Sequence, residues 1–426
     1  MKIRAGDGLE QLGFPEMMST PLFYKAESGE RLRLLDSAYI FNVATYSTEV
    51  DPRWIYTYDY APDQSWTNYR NDLTGDSYRQ DGYGFHDTCF FRVCLRKING
   101  DYFDGSENIN DIIFYEANPP QLHPVKQWLT DEANRVANQV NALRTSDDLI
   151  FALLTDTHYV VNGTWEDTAT SLLQVQKQVG FDGVIHLGDF TDGMVTGEVA
   201  QIYVNFILDS LKNLSVPYWA ALGNHDANYF KGNSEYFTIE EQCEIYLNHN
   251  KPHYNVDFEI QKLRFIFLDS FNAERTLRYG YSDECIAWLG QTLAKTPNDW
   301  RVIIFSHLPP VTRLQFWAKE LYGEEKIRHL MHVHASKILG WINGHNHADR
   351  IDCVESIPVV SVTNTKCEAF TEHKSEGHIT PERTLDTITQ EAWDVLIINT
   401  KKEQVNFVRY GSGADRIIHD KKVEWL

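Results

Sequence analysis

The sequence predicts an α/β core preceded by an amino-terminal β-rich domain, and three stretches of its 426 residues carry that prediction. From residue 149 onward, apolar strands alternate with amphipathic helices, the pattern of an α/β layer structure. Strands are expected at 149–154, 184–187, 219–222, 265–268, 302–305, 338–342 and 358–362. Helices are expected at about 167–179, closed by Gly180, and at 198–213. Two more follow Thr238, which opens a capping box with Glu241, and Ser282. Residues 395–398 and 405–409 around Lys401-Lys402 form a hairpin, and 312–337 reads as a polar, helical insertion.

Residues 1–120 differ in texture. They are dense in Tyr, Trp and Phe and punctuated by Asp81-Gly82, Asn99-Gly100 and Asp104-Gly105. Strands at 90–96 and 112–115 suggest a small antiparallel sandwich, an accessory domain. Cys89 and Cys94 are five apart on one such strand and face opposite ways, so they cannot bridge. Between the two regions, after Pro119-Pro120, Val125, Trp128, Leu129, Ala133, Val136, Val140 and Leu143 make one apolar stripe. That predicts a linking helix within 121–146, with the catalytic domain over 147–426.

The bulk composition narrows the functional classes. With 42% hydrophobic and 13% aromatic residues the chain is globular, and its length is enough for a sizeable core. A formal charge of −21 argues against binding a nucleic-acid duplex. No apolar run approaches a membrane span and no apolar segment follows Met1-Lys2-Ile3-Arg4, so no membrane partner and a cytoplasmic location are expected. Six cysteines without CxxC pairing fit reduced thiols.

Five short motifs carry the chemistry: Asp156-Thr157-His158, Gly188-Asp189-Phe190-Thr191-Asp192, Gly223-Asn224-His225-Asp226, Ser306-His307-Leu308-Pro309 and Gly344-His345-Asn346-His347. Each sits just past the carboxyl end of an expected strand, where open α/β sheets gather their ligand sites. Carboxylate, amide and imidazole are ligands that borderline divalent cations accept. Asp156 and His158 are two apart, as are His345 and His347, and extended backbone would send each pair off one face.

In this order the motifs resemble those of the calcineurin-like metallophosphoesterases: DxH, GDxxD, GNH(D/E), a separate His, then GHxH. The resemblance spans about 149–410 and implies a four-layer β-sandwich flanked by helices. It implies one metal on Asp156, His158, Asp189 and His347, and a second on Asp189, Asn224, His307 and His345. Asp189 would bridge two divalent ions, Mn, Fe or Zn foremost, and a hydroxide between them would attack phosphorus in a small phosphate ester. His225 would be the general acid, and Asp226 would orient it and raise its pKa. Asp192 stands where purple acid phosphatases of the same framework carry a ligand tyrosine, which argues against a charge-transfer ferric site.

The motif set most resembles the diesterase branch, so a phosphodiesterase is expected. The alternatives are a phosphomonoesterase of the same fold and a non-catalytic scaffold for protein binding. The amino-terminal aromatics could serve a glycan or protein partner, or simply fill a core. Among other residues, His186 reads as a core residue and His329, His332 and His334 as a solvated cluster. Tyr159 and Trp165 suit core packing as well as substrate stacking, and His253 suits the cleft as well as a structural place. Arg350 and Arg383 are candidate phosphate clamps, with surface salt bridges the commoner fate.

Overall fold

A computed structural model describes residues 125–159, 164–230, 233, 235–247, 249–368 and 376–426, and, before residue 125, mainly the strand segments. The chain divides into two compact units, residues 1–124 with 161–163, and 125–160 with 164–426. In the first, every described strand pairing is antiparallel. Cys89–Lys97 pairs with Tyr39–Tyr46, which pairs with Trp54–Tyr60. Ile113–Glu116 pairs instead with Arg31–Leu34 in a separate sheet. Asn99-Gly100 therefore does not close a hairpin between its two flanking strands. The side chains of most aromatics of this region, and Cys89, lie outside the described residues.

The second unit is two mixed sheets packed face to face. Its elements are α1 (Gln127–Leu143), β1 (Leu149–Leu154), α2 (Thr164–Val179), β2 (Gly183–His186), α3 (Gly197–Lys212) and β3 (Tyr218–Ala220). After the short α4 (Ile239–Gln242) come β4 (Tyr254–Phe258), β5 (Leu263–Leu268), α5 (Asp283–Lys295), β6 (Arg301–Ser306), α6 (Glu324–His334) and β7 (Ile338–Asn343). The chain ends with β8 (Arg350–Val354), β9 (Ile357–Ser361), β10 (Ala392–Asn399), β11 (Gln404–Gly411), β12 (Arg416–His419) and β13 (Lys422–Trp425). One sheet runs β3-β2-β1-β10-β11-β12-β13, the other β4-β5-β6-β7-β9-β8. Strands β1 to β3 are mutually parallel, as are β5, β6, β7 and β9.

Apolar runs in β1, β5 and β6 are buried on both faces, which is why they read as continuous rather than alternating. Phe151 of β1 meets Phe265 of β5 at 5.0 Å and Phe258 of β4 at 5.5 Å between ring centres, so the sheets interlock through aromatic edges. Helices α5 and α6 bury Leu289, Leu293, Ile327 and Met331 against the outer face of the second sheet. Helix α1 buries Leu129, Ala133, Val136 and Val140, while Val125 and Leu143, at the ends of the expected stripe, stay exposed. The Thr238 capping box forms, but α4 is four residues long. Within the expected insertion only a turn at Thr312–Leu314 and α6 are helical.

A buried quartet of charges ties the sheets together. Arg409 reaches Asp394 at 2.9 Å and Asp349 at 2.8 and 3.0 Å, and Arg416 contacts both aspartates. All four side chains are at most 1% exposed. Asp349 follows the last motif by two residues, so the quartet also pins that loop to β10, β11 and β12.

Candidate metal centre

The parallel strands set the site. Asp156 follows β1, Asp189 follows β2, Asn224 follows β3, His307 follows β6 and His345 follows β7, so five loops meet at adjoining strand ends. The backbone there is not extended as the two-apart spacing suggested. Asp156, His158, Asp189, His345 and His347 have φ of 49°, 40°, 58°, 72° and 49°, in the left-handed region that non-glycine residues avoid. Strain of this kind persists only where surrounding contacts over-determine it. Here Asp156 N donates to Gly188 O at 3.0 Å and His158 N to Asp189 O at 3.0 Å. Two motif glycines leave room for carboxylates: a Cβ on Gly223 would collide with Asp189, and one on Gly344 with Asp156 and Thr155.

The seven expected ligand side chains converge. Asp156, His158 and His347 offer ligand atoms within 4.8 Å of one another, as do Asp189, His307 and His345. His158 Nδ1 donates to Asp192 Oδ1 at 2.9 Å, which leaves Nε2 as a lone pair, 3.0 Å from His347 Nε2. His347 Nδ1 in turn lies 2.7 Å from Glu368 Oε1. His307 Nδ1 donates to Leu187 O at 2.9 Å, so its Nε2 faces Asn224 Oδ1 at 3.0 Å and Asp189 Oδ2 at 3.1 Å. Asp189 Oδ2 is also 3.5 Å from His158 Nε2 and thus lies between the two groups.

Lone pairs meeting at about 3 Å repel unless a positive charge lies between them. Asp156 Oδ1 is buried without a hydrogen-bond partner, and His345 brings Nδ1 to 3.1 Å from His307 Nε2. The donor set therefore fits two cations sharing Asp189. Electrostatics point the same way. Burial alone would lower His307, but Asp189 and Asp156 outweigh it and raise the imidazole to about 9. Burial would likewise raise Asp156, yet His307 and His347 hold it well below the usual carboxylate range.

His225 stands beside this set. Its Nδ1 donates to Asp192 O at 2.7 Å, its ring stacks on Phe230 at 3.7 Å, and its Nε2 is 4.0 Å from Asp189 Oδ2. Burial lowers its pKa to about 4 against the pull of Asp189. Asp226 does not orient it, contrary to the sequence reading. Its carboxylate accepts from the backbone N–H of Gly223, Phe190 and Asp189 at 2.7, 2.9 and 3.0 Å. A side chain adjacent in sequence points elsewhere here, and Asp226 instead braces the two glycine loops. Burial, then Asp189, push it up to about 7.

Residues 149–349 match the calcineurin-like phosphoesterase family. That part of the chain belongs to it. Calcineurin-like phosphoesterases are phosphoric ester hydrolases, and the His and Asp groups above could hold their metals. Similar solved structures include a dimetal phosphatase from Danio rerio, 16% identical over 64% of this chain and 98% of that one, with a TM-score of 0.49. Another is a purple acid phosphatase from yellow lupin (Lupinus luteus), 13% identical over 94% of this chain and 74% of that one, with a TM-score of 0.43. No curated protein matches the chain.

The remaining candidates fall outside the calcineurin-like ligand set. His186 is buried, accepts from Gly188 N at 3.1 Å and donates to Thr157 Oγ1 at 2.7 Å. Tyr159 packs on Tyr203 and Phe206, and Trp165 donates to Ser210. His253 packs on Trp288, and His332 lies 3.5 Å from Glu355 at the surface. Arg350 pairs with Asp352 at 2.9 Å. Among the described residues Arg383 forms no salt bridge; it donates to the backbone carbonyls of Asn364, Thr365, Thr389 and Gln390. Two residues escaped the sequence reading: Glu368 beside His347, and Lys366, 3.6 Å from Asp192 and 3.3 Å from Glu368. They form no motif; their only signal is acid and base flanking one cysteine six residues beyond β9. Among the described residues, no helix is long and apolar enough to cross a membrane.

Proposed function

We propose that this chain hydrolyses phosphate diesters with two divalent cations, one on Asp156, His158, Asp189 and His347, the other on Asp189, Asn224, His307 and His345. The observation that carries the reading is the convergence of His158, His347 and His307 lone pairs on buried carboxylates. When bound, the cations would activate water and neutralise charge developing on the phosphoryl oxygens. Asp189 holds both positions at a fixed spacing, because its Oδ1 is anchored by the backbone N–H of His225 at 2.7 Å. His225 protonates the leaving oxygen from Nε2, since Nδ1 is committed to Asp192 O. Burial favours the neutral imidazole, and an anionic ester bound beside it would supply the field that lets it carry a proton.

Preference for diesters is supported by the basic side chains. Arg350, Arg383 and Lys366 are all committed to protein partners, which leaves the second charge of a monoester dianion poorly matched. A reducing, cytoplasmic setting suits the free thiols of Cys243, Cys285, Cys353 and Cys367. Residues 1–120 serve as an accessory domain in this reading.

Chelator-stripped protein supplied with Mn, Zn, Fe(II), Co or Mg should hydrolyse aryl phosphate diesters faster than monoesters. Failure of every metal with both substrates rejects the activity, and faster monoester cleavage rejects the diester preference. His225→Ala should lower turnover by roughly 10²–10⁴-fold at unchanged metal content. Metal loss in that variant would make His225 a ligand instead.

A further inference from the structure

The two proposed cation positions are backed differently. Around His158 and His347 the outer ring nitrogens meet carboxylates: Asp192 Oδ1 at 2.9 Å and Glu368 Oε1 at 2.7 Å. The second oxygens of those carboxylates flank one ammonium, Lys366 Nζ, at 3.6 and 3.3 Å. One lysine, two carboxylates and two imidazoles thus form a loop that closes through the point where the Nε2 atoms face each other. The loop is anchored from below. Lys366 N donates to Asp156 O at 3.3 Å, Thr365 N to Thr155 O at 2.8 Å, and Asn364 Nδ2 to Lys366 O at 2.8 Å. Lys366 is mostly buried, with 15% of its side chain exposed.

Among the described residues, nothing comparable supports the other position. His307 Nδ1 is held by a backbone carbonyl, Asn224 is a neutral amide, and His345 Nε2 is buried without a hydrogen-bond partner. A carboxylate behind a ligating histidine fixes its tautomer and raises its basicity, whereas a carbonyl does so more weakly.

We propose that Lys366 is a positioning residue for one cation only: by holding Asp192 and Glu368 against His158 and His347, it makes the Asp156–His158–His347 position the tighter of the two. The proposal rests on the two-cation reading above. Removing the ammonium leaves the two carboxylates with no positive charge between them, and they swing apart. His158 and His347 then lose their fixed ring orientation, while His307, His345 and Asn224 keep theirs.

The test is Mn²⁺ titration by calorimetry of the chelator-stripped full chain. The parent should bind two equivalents with unequal affinities. Lys366→Met should weaken the tighter step by about 10–100-fold and leave the weaker one within about threefold. Lys366→Arg, which keeps the charge, should recover most of the loss. Asp192→Asn should give the same selective loss, and it serves as the second route if Lys366→Met does not fold by circular dichroism. Equal weakening of both steps, no weakening, or no recovery with arginine overturns the proposal. A parent that binds a single equivalent or none overturns the two-cation reading itself, and with it the comparison.

Discussion

Two buried polar clusters lie close together in the catalytic unit and solve opposite problems. In the quartet of Arg409, Arg416, Asp349 and Asp394 two positive charges meet two negative ones, and both arginines span both aspartates. The cluster is neutral by itself and needs nothing from solution. At the candidate metal centre Asp156 and Asp189 face imidazole nitrogens, and buried Asp156 Oδ1 is left without a donor. That cluster is incomplete by itself. A buried group of charges that closes on its own members is structural, whereas one with surplus acceptors is a place for a cation. Glu391 is a third case: buried, yet hydrogen-bonded by Thr168 and Gln390, which are neutral.

The largest expected effect breaks the comparison on the catalytic side. Asp189→Ala removes the ligand shared by both cations and should cut turnover by at least about 10³-fold. In chelator the same variant should remain folded by circular dichroism, so that the lost turnover is read on intact protein. Activity retained within tenfold would mean that Asp189 is not the bridge.

Next in size is the quartet. Arg409→Met leaves two aspartates buried with one arginine and should cost about 3–5 kcal/mol of stability by urea unfolding. Saturating Mn²⁺ should raise the midpoints of parent and variant alike, by about 2.7 kcal/mol at a hundredfold excess over Kd, leaving the gap between them unchanged. A gap that closes with metal would show that the quartet acts through the site rather than through the fold.

The smallest effect concerns Glu391. Burial pushes its carboxyl up to about 7, with Thr168 and Gln390 opposing. Its folded pKa is above the unfolded value, so the folded state holds the proton longer, and stability falls as pH rises from about 4.3 through about 7. Glu391→Gln removes that penalty, and its advantage over the parent should grow by about 1–3 kcal/mol between pH 5 and pH 8. A difference independent of pH would mean that the carboxylate finds a cation after all.

Legibility in the sequence followed chain locality. Asp156, Asp189, Asn224, His307 and His345 were readable as one cluster because each sits within a few residues of a strand end in a short motif, and parallel strands must bring such ends together. The alternating elements were readable from burial on both faces of β1, β5, β6 and β7. Asp226 misled because adjacency in sequence is not adjacency in space: the chain turns at His225–Ala227 and sends the two side chains to different partners. Arg409 had one legible signal, a charge in register with Val405 and Phe407 on a buried strand.

By itself, then, the sequence determined which atoms could bind metal and which sheet edge would gather them, since ligand chemistry and strand periodicity are local properties. Only the tertiary structure decided how those ligands are held. Lys366 meets Asp192 across about 170 residues of chain, Glu368 meets His347 across about twenty, and Asp349 meets Arg409 across sixty. Partners so far apart leave no periodic trace, because their pairing depends on how two sheets pack and on backbone forced into the left-handed region at five ligand positions.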